Sequence, residues 1–366
     1  MAVSEADSRT VLLPSGTLTL KIDRSALPLD DLLDYAVRRN PRRGFLFVSK
    51  VLGKHIPVTP HTAKQVWTLL AAALPPLTQP HFIGLAETAT ALGEGVFQTW
   101  LEQTGRQATF QHTTRYLTRR PLLLRFDEPH SHAPAHLLYD PGEQARVARE
   151  LVLVDDEIST GTTLQNLAVA WLELHPQVKR VVLVSLTDWC GRRGELAAAL
   201  GVPVDFVSVL RGSFSFTTAP DWQPPQLPAV VGNGEDKTEL LPTLSPRYGD
   251  VAGTSLPHLT FSHTDRVLVL GMGEFQYPAY ALAAALAPSV ARCHWSATTR
   301  SPILPGLAMG RTLTFSDSVD DGIPNYLYNV SPADYDHILL TYEGRCEPDP
   351  ELLRELGPHA RAVKLA

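Results

Sequence analysis

The sequence predicts an α/β protein built from two units, each with a parallel sheet. Short apolar runs, the pattern of strands buried on both faces, alternate along the chain with helical segments of about a dozen residues. That alternation is typical of parallel strands joined by helices. A stretch dense in proline and glycine, residues 217–246, separates the two series of strands and helices. We therefore expect one domain over residues 1–216, a linker or crossover over 217–246, and a second domain over 247–366.

The predicted elements follow one another in a regular rhythm, and turn residues separate them. In the first domain we predict, in order, strand TLTLKI, helix LDDLLDYAVRR, a strand pair in RRGFLFVSKVLGKHIPV, helix TAKQVWTLLAAAL, strand HFIGLA, helix TATALGEGVFQTWLEQ, strand ATFQHTTRYL, strand ELVLVDD, helix TTLQNLAVAWLEL, strand RVVLVSLTD, helix RGELAAAL and strand VDFVSVL. In the second we predict strand RVLVLG, helix YPAYALAAAL, strand ARCHWSATTR, strand HILLTYE and helix DPELLRELG.

The two domains share a repeated pattern of residues. Each has a strand with a Gly-x-x-Glu turn, which ends at Glu87 or Glu274, and each has a later strand that ends in Thr-Thr-Arg. The arginines of these triplets, Arg115 and Arg300, follow the glutamates by 28 and 26 residues. Matches in the same order at nearly the same spacing indicate duplication. We therefore predict that the second domain is a degenerate repeat of the first.

Composition narrows the class of protein. The 366 residues carry a net charge of -6 with a pI near 6.1, so there is no overall field that attracts nucleic acid. Cys190, Cys293 and Cys346 lie far apart with no CxxC spacing, which predicts neither a zinc site nor a disulfide framework. No apolar run reaches the roughly 18 residues of a membrane span, and the N-terminus has no basic stretch followed by an apolar block. We expect no membrane partner and a cytoplasmic location.

The stretch ELVLVDDEISTGTTLQ, residues 150–165, carries the chemistry of the first domain. Four apolar residues end in three acids, Asp155, Asp156 and Glu157. A parallel strand places such acids at the carboxyl edge of the sheet, where α/β proteins bind ligands. The helix that follows opens with hydroxyl groups and a glycine, and its free amides favour a phosphate. The candidate residues for binding PRPP and its phosphate are Glu157, Ser159, Thr160, Gly161, Thr162 and Thr163.

A ligand for this stretch needs a phosphate at one end and hydroxyl groups at the other. Ribose 5-phosphate has both, because its phosphate fits the helix start and its 2- and 3-hydroxyls can bond Asp155 and Asp156. The same two carboxylates are candidate ligands, directly or through water, of a Mg²⁺ ion carried by the ligand. In the second domain Thr341 and Tyr342 replace the two acids, and the run of hydroxyls is absent. We therefore expect the second domain to have lost this chemistry.

The segment LVLVDDEISTGTT resembles the thirteen-residue PRPP-binding signature of type I phosphoribosyltransferases. Together with GLAETATALG and the later TTRSP, it resembles the phosphoribosyltransferase-like proteins that carry a C-terminal TRSP domain, a bacterial family associated with tellurite-resistance and stress-response operons. The resemblance runs from about Pro41 to the end. It implies a type I fold, PRPP and Mg²⁺ as ligands, and a role in making or salvaging a nucleoside-like metabolite.

The resemblance also implies roles for other residues. GLAETAT stands where the family has a pyrophosphate-binding loop, often with a non-proline cis peptide. Its members here are Glu87, Thr88, Ala89 and Thr90. A basic or small residue is usual at the first position, so Glu87 departs from the pattern. Glu87 is interpreted either as a contact to Mg²⁺ or the base, or as an acid favoured at a helix N-terminus.

A mobile loop of the family falls between Arg115 and Leu151, and we expect Arg119 and Arg120 to act in catalysis there by neutralising pyrophosphate as it leaves. Further candidates in and after this loop are Arg125, His130, His132, His136, Asp188 and Arg192.

The implied reaction is displacement of pyrophosphate from PRPP by a nitrogenous base. Enzymes for 6-oxopurines have an aspartate two residues before the loop glycine; Ser159 stands there, which disfavours hypoxanthine and guanine. A non-catalytic regulator that binds PRPP or ribose phosphate is the alternative, although we find no DNA-binding motif in the first 40 residues. A dinucleotide site at VLVLGMGEF is disfavoured, because Gln276 follows Gly271 and Gly273 in place of the third glycine.

Type I enzymes commonly pair subunits. We therefore expect either that the second domain pairs with the first within one chain, as a pseudo-dimer, or that two copies of the chain form a homodimer. On this hypothesis Glu274, Arg300, Ser301 and Pro302 line or brace the first site, or form a second ligand site.

Overall fold

The structure is a computed structural model that describes residues 7–38, 43–126, 136–223, 234–251 and 255–366. Its strands are β1 (Asp7–Leu13), β2 (Gly16–Ser25), β3 (Leu33–Ala36), β4 (Leu46–Ser49), β5 (Pro80–Gly84), β6 (Thr109–His112), β7 (Leu122–Phe126), β8 (His136–Tyr139), β9 (Glu150–Ile158), β10 (Arg180–Asp188), β11 (Val204–Thr218), β12 (Arg266–Gly271), β13 (Arg292–Ala297), β14 (Thr312–Phe315), β15 (Asn325–Tyr328), β16 (His337–Tyr342) and β17 (Ala360–Lys364). Its helices are α1 (Leu29–Leu32), α2 (Pro60–Ala72), α3 (Ala89–Thr104), α4 (Glu143–Arg146), α5 (Thr162–Leu174), α6 (Arg193–Leu200), α7 (Tyr277–Leu286) and α8 (Pro350–Leu356), with 3₁₀ turns at Pro246–Tyr248, Ala287–Ser289 and Pro332–Asp334.

The first unit is a seven-stranded sheet in the order β1-β2-β11-β10-β9-β5-β6. Its last five strands in this order are parallel, and β2 pairs antiparallel with both β1 and β11. After β5 the chain forms β6 on one side, then returns to form β9 on the other side of β5. This reversal of strand order between β5 and β9 opens a crevice at the carboxyl ends of the two strands.

The second unit is a four-stranded parallel sheet in the order β13-β12-β16-β17. The four strands β5, β6, β9 and β10 of the first unit lie in the same spatial order, β6-β5-β9-β10, when each set is numbered along the chain. Each unit also has a short antiparallel strand pair. In the sequence, β7-β8 lies between β6 and β9, and β14-β15 lies between β13 and β16. The α/β class and the second α/β copy predicted from the sequence are confirmed, and the origin of the copy by duplication stays a prediction.

One apolar core joins the two units, with side chains from both sheets in a single cluster. Helices α2 and α3 of the first unit contact α7 of the second. Trp67 of α2 packs against Tyr280 of α7, with ring centroids 4.3 Å apart. A Cβ at Gly95 would lie 2.3 Å from the Trp67 ring, so this close approach requires glycine. The sheets therefore cover opposite sides of one helical layer.

Two segments cross from one unit onto the other. We name residues 44–58 the N-terminal crossing segment; the amides and carbonyls of Val58 and Trp295 bond each other there at 3.0 and 2.8 Å. We name residues 236–249 the linker segment; the Lys237 amide donates to the Leu117 carbonyl at 2.7 Å. The N-terminal crossing segment therefore contacts the second unit, and the linker segment contacts the first.

The predicted helix LDDLLDYAVRR is mostly wrong. Only Leu29–Leu32 is helical, and the chain continues as β3, which pairs antiparallel with β4. Leu33 and Tyr35 alternate with the half-buried Asp34 and are themselves buried. Pairing with a partner further along the chain decides this segment, in spite of its helical composition. In the described ranges no helix combines the length and hydropathy needed to cross a bilayer.

Glu94 is a buried acid in the helical layer, with 6% of its surface exposed. Burial raises its pKa from 4.5 to about 8. Burial also raises the pKa of the neighbouring Tyr277 hydroxyl, and the charge of Glu94 raises it further. The folded protein therefore holds Glu94 as the neutral acid at neutral pH.

We predict that, as the pH rises from 6.5 to 8, the free energy of unfolding of the wild type falls relative to that of Glu94→Gln. The folded state keeps a proton that the unfolded carboxyl has released, so the loss is about 1–2 kcal/mol across this window. Burial lowers the pKa of His55, His81 and His112 to about 3, so protons that bind their unfolded imidazoles near pH 6.5 make stability rise with pH. This rise is the same in the wild type and in Glu94→Gln and cancels in the comparison. Urea unfolding at several pH values measures the slope. Exposed Glu102 of the same helix provides the control, Glu102→Gln, which should keep the wild-type slope.

Candidate functional site

The crevice lies where β9 extends past the end of β5. The two strands pair as far as Gly84 and Val154, and the Leu85 amide bonds the Val154 carbonyl at 2.9 Å. Beyond that point β9 continues beside β10 to Ile158. The acids of β9 therefore stand at the point where the strand order reverses, as the sequence predicted for the carboxyl edge of a parallel sheet.

Asp155 and Asp156 are both partly exposed at this edge. The Asp156 amide donates to Asp155 Oδ1 at 2.9 Å, which orients the Asp155 carboxylate. In register with them on β10, Ser185 lies beside Asp155. Two adjacent carboxylates that solvent can reach are able to accept hydrogen bonds from the hydroxyls of a sugar. They are also the oxygen ligands that Mg²⁺ prefers.

Glu157 has a partner that the sequence analysis missed. Arg43 Nη2 donates to both of its carboxylate oxygens, at 2.8 and 3.0 Å. The Arg43 guanidinium also lies over the Phe45 ring, 4.6 Å from its centroid. Burial raises the pKa of Glu157, and Arg43 opposes that shift. The structure therefore assigns Glu157 to an ion pair beside the crevice, and its predicted contact with a phosphate stays a prediction.

The start of α5 has the shape expected of a phosphate site. Gly161 has a φ of 73°, in the left-handed region, and a Cβ there would lie 2.5 Å from Leu196 Cδ1. Thr160 Oγ1 and Thr162 Oγ1 lie 3.0 Å apart, and Ser159, Thr162 and Thr163 are partly exposed. The N-cap residue is Gly161, which has no side chain to cap the helix, and the Thr162 amide donates to Thr160 Oγ1 at 3.4 Å. Amide and hydroxyl donors are thus gathered at the positive end of the helix dipole.

The loop after β5 contains a cis peptide bond between Ala86 and Glu87, as the resemblance implies for a pyrophosphate loop. The Ala86 amide donates to Thr113 Oγ1 at 2.8 Å. Arg115 Nη2 donates to the Ala86 carbonyl at 3.4 Å. Thr90 Oγ1 donates to the Glu87 carbonyl at 3.2 Å, and α3 begins at Ala89 beside Thr88. Residues that follow β6, together with the first turn of α3, therefore hold the loop from two sides.

The Glu87 carboxylate contacts the second unit. Its Oε2 accepts hydrogen bonds from Thr299 Oγ1 at 3.2 Å and from the Arg300 amide at 3.3 Å. Lys54 Nζ, on the N-terminal crossing segment, lies 3.1 Å from the same oxygen. The sequence left open a ligand contact or a helix-terminal acid for Glu87. The structure shows a third arrangement, an anchor between units, which neither interpretation contained.

The second-unit candidates lie at the same boundary. Glu274 accepts hydrogen bonds from Thr114 Oγ1 at 2.6 Å and from the Arg115 amide at 2.7 Å. The Arg300 guanidinium donates to Asp321 Oδ2 at 3.0 Å. The Ser301 carbonyl accepts a bond from the Tyr328 hydroxyl at 2.8 Å. Glu274 therefore contacts the first unit, whereas the Arg300 guanidinium and the Ser301 carbonyl bond within the second. Bracing of the first site and a second ligand site both stay predictions.

A buried ion pair lies at the equivalent edge of the second sheet. Arg247, with 1% of its surface exposed, donates to both oxygens of Glu343 at 2.9 and 2.6 Å. Burial acts to lower the pKa of Arg247, yet the carboxylates of Glu343 and Glu274 raise it above its usual value. Thr341 and Tyr342 stand where the first unit has its aspartates. This edge therefore has neither the paired acids nor the hydroxyl loop of the first.

The two arginines expected in catalysis contact the linker segment. Arg119 Nε donates to Asp236 Oδ2 at 2.5 Å and its Nη2 to Glu239 at 3.1 Å. Arg120 donates to the Thr243 carbonyl. These contacts anchor the linker segment to the first unit, a role that the sequence did not predict. The catalytic role of both arginines stays a prediction.

The other loop candidates separate into several environments. His136 is buried, and its ring nitrogens contact Thr113 Oγ1 at 2.9 Å and Arg115 Nη2 at 2.8 Å. Asp188 is buried and accepts a bond from Arg193 Nε at 2.7 Å, which fixes the turn after β10. Arg192 donates to Gln165 of α5, and Arg125 is exposed on β7. The remaining candidates, His130 and His132, lie outside the described residues.

Comparison with known families matches residues 32–213 to a family described as phosphoribosyl transferase and residues 248–356 to the TRSP domain found C-terminal to it. The second match contains three of the four strands of the second sheet, β12, β13 and β16. No curated protein sequence is similar enough to this chain to count as a match.

Several solved structures are similar to about half of this chain at low identity. Adenine phosphoribosyltransferase from Giardia lamblia, complexed with 9-deazaadenine, is 19% identical, with 51% of this chain and 97% of that chain covered and a TM-score of 0.33. Orotate phosphoribosyltransferase from Aeropyrum pernix is 18% identical, with 49% and 85% covered and a TM-score of 0.29. The adenine enzyme from Trypanosoma brucei, in complex with AMP, pyrophosphate and ribose-5-phosphate, is 11% identical, with 49% and 76% covered and a TM-score of 0.32.

We predict that Gly161→Ala destabilises the protein more than Gly201→Ala. Both glycines have a left-handed φ, 73° and 65°, which costs an alanine about 1–2 kcal/mol. A Cβ at Gly201 meets nothing within 4 Å, whereas one at Gly161 overlaps Leu196. The overlap adds about 1–3 kcal/mol. Urea unfolding of both variants measures the difference, and equal losses would show that Leu196 moves aside at little cost.

Proposed function

This chain belongs to the family of phosphoribosyl transferases with a C-terminal TRSP domain, and we propose that it is a Mg²⁺-dependent enzyme that transfers ribose 5-phosphate from PRPP to a nitrogenous base. One observation carries the proposal: the two partly exposed acids, Asp155 and Asp156, stand between the hydroxyl-rich start of α5 and the loop Ala86–Thr90 at one crevice. Sugar, phosphate and pyrophosphate are the groups that these three features recognise in that order.

The start of α5 binds the 5-phosphate, through its amides and the hydroxyls of Thr160, Thr162 and Thr163. Asp155 and Asp156 accept hydrogen bonds from the ribose hydroxyls and hold the sugar still. This positioning lowers the barrier, because the base then meets C1 in one orientation. The base nitrogen forms a bond to C1, the bond from C1 to the pyrophosphate oxygen breaks with its electron pair on oxygen, and the nitrogen releases a proton to solvent.

The residues present fit Mg²⁺. This ion is usually held by one or two carboxylates together with substrate phosphates, so the Asp155 and Asp156 pair matches its needs. When bound, Mg²⁺ supplies positive charge that stabilises the departing pyrophosphate. Among the described residues no cluster of three or more His, Cys, Asp or Glu side chains forms a metal site by itself. We therefore propose that the ion enters with PRPP.

The base is proposed to be other than a 6-oxopurine. Ser159 occupies the position where the 6-oxopurine enzymes have an aspartate, so the contact to the base N7 has no carboxylate here. Adenine-like, orotate-like and less common bases remain, in the biosynthesis or salvage of a nucleoside-like metabolite. A non-catalytic sensor of PRPP or ribose phosphate is the second candidate. It is favoured by the contacts that tie Arg119 and Arg120 to the linker segment.

We predict that PRPP with Mg²⁺ binds the wild type and that Asp155→Asn with Asp156→Asn weakens this binding at least about 100-fold. Two hydrogen bonds to charged acceptors are lost, each worth about 1.5–3 kcal/mol. Isothermal titration calorimetry measures both affinities. Asp205→Asn is the control. Asp205 lies at the amino end of β11, away from the carboxyl edge of the sheet, and pairs with Arg180, so its loss should leave PRPP affinity unchanged.

Release of pyrophosphate in the presence of adenine, orotate, hypoxanthine or other bases then separates the two candidates. Release with a base that is not a 6-oxopurine supports the transferase. Tight PRPP binding without release for any base favours the sensor, and a wild type that binds no PRPP contradicts both.

A further inference from the structure

The two loop glutamates make the same contacts in opposite directions. Glu87 of the first unit accepts bonds from the second Thr and the Arg amide of the second unit's Thr-Thr-Arg, Thr299 and Arg300. Glu274 of the second unit accepts bonds from the equivalent Thr and Arg amide of the first unit. Such an exchange of equivalent contacts is the mark of a twofold interface, here formed within one chain.

Each unit holds its own loop with the first threonine of the triplet. The Ala86 amide donates to Thr113 Oγ1 at 2.8 Å, and the Gly273 amide donates to Thr298 Oγ1 at 2.8 Å. The second threonine is thereby left to hold the glutamate of the other unit. The loop Ala86–Thr90 is therefore fixed at its backbone mainly by its own unit, and the second unit bonds the Glu87 side chain together with the Glu87 carbonyl, which accepts from Gln276 Nε2 at 3.1 Å.

The edge of the second sheet differs from that of the first in the residues at the end of β16. This edge has Thr341 and Tyr342 in place of acids, and the pair Arg247 and Glu343 is buried there. Thr299 is buried and directs its hydroxyl to Glu87. The chemistry that the second unit retains at this boundary is thus directed at the loop of the first unit.

The charge of Glu87 needs this arrangement. An acid in a loop that receives pyrophosphate repels the ligand if its carboxylate faces the crevice. Lys54 Nζ lies 3.1 Å from Glu87 Oε2, and Lys54 has only 3% of its surface exposed. The carboxylate is therefore neutralised on the side of the loop that faces the second unit.

We propose that the C-terminal unit is a built-in positioning partner: its Thr299 and Arg300 amide, together with Lys54 of the N-terminal crossing segment, hold Glu87 and so fix the backbone of Ala86–Thr90 for pyrophosphate. Thr299 and Lys54 are positioning residues, since they act through Glu87. The inference rests on the proposed function, because it assigns pyrophosphate to this loop.

Thr299→Val tests the proposal with two probes, inorganic pyrophosphate with Mg²⁺ and ribose 5-phosphate, each titrated by calorimetry into the full chain. Loss of the clamp should weaken pyrophosphate binding roughly fivefold or more, in the range of coupling between sites, and leave ribose 5-phosphate binding unchanged. Thr299→Ser keeps the hydroxyl and should restore the wild-type affinity. Hydrogen exchange of the amides of residues 86–91 should rise in the valine variant alone.

Thr341→Val is the matched control. Thr341 is equally buried in the second unit and donates to the Leu270 carbonyl at 2.9 Å, away from Glu87. It should lose stability without changing either affinity. If Thr299→Val does not fold, Lys54→Met removes the clamp from the other side, with the same expected selective loss.

The outcomes separate the clamp from the function. A wild type that binds neither probe overturns the proposed function and this inference together. A wild type that binds both, with equal losses for both probes in Thr299→Val or with no change in affinity or exchange, overturns the clamp and leaves the proposed function standing.

Discussion

Carboxylates that are buried or half-buried at the boundary between the units must be paired, and this requirement fixes how the two sheets meet. An uncompensated charge away from water costs several kcal/mol, so Glu87 and Glu274 each need donors. Each finds a threonine hydroxyl and a main-chain amide in the other unit, and a cation, Lys54 or Arg247, from a crossing segment. Neither unit satisfies its own loop acid alone. The shared helical layer and the two crossing segments follow from that dependence.

The two units have the same strand order, but the carboxyl edges of their sheets differ. Glu157 and Glu343 each stand two residues after the first position of the acid pair, and each bonds an arginine, Arg43 or Arg247. The Arg43 side chain keeps 25% of its surface exposed, whereas Arg247 keeps 1%. The ion pair therefore borders an accessible edge in the first unit and closes the edge in the second. Burial of one arginine, rather than a new fold, accompanies the loss of the acids.

The strands, the acids of β9 and the loop at Gly161 could be predicted because each depends on a pattern local in sequence. The contacts of the acids could not. Thr299 is 212 residues from Glu87, and Arg43 is 114 residues from Glu157, so no periodicity connects them. The segment 33–36 was predicted helical because its strand state depends on β4. The repeated Glu and Thr-Thr-Arg did indicate a paired role, but a linear sequence does not say which copy contacts which.

The repeat also explains why one arginine of the two triplets is the stronger candidate for contact with pyrophosphate. Both main-chain amides serve the opposite glutamate, so the side chains are available for different roles. Arg300 bonds Asp321, within its own unit, whereas Arg115 donates to the Ala86 carbonyl of the candidate pyrophosphate loop. Since Lys54 and Thr299 hold the Glu87 carboxylate on the other side, the first crevice keeps a cation beside the loop and has its acid neutralised. That bias in charge is what a leaving pyrophosphate requires.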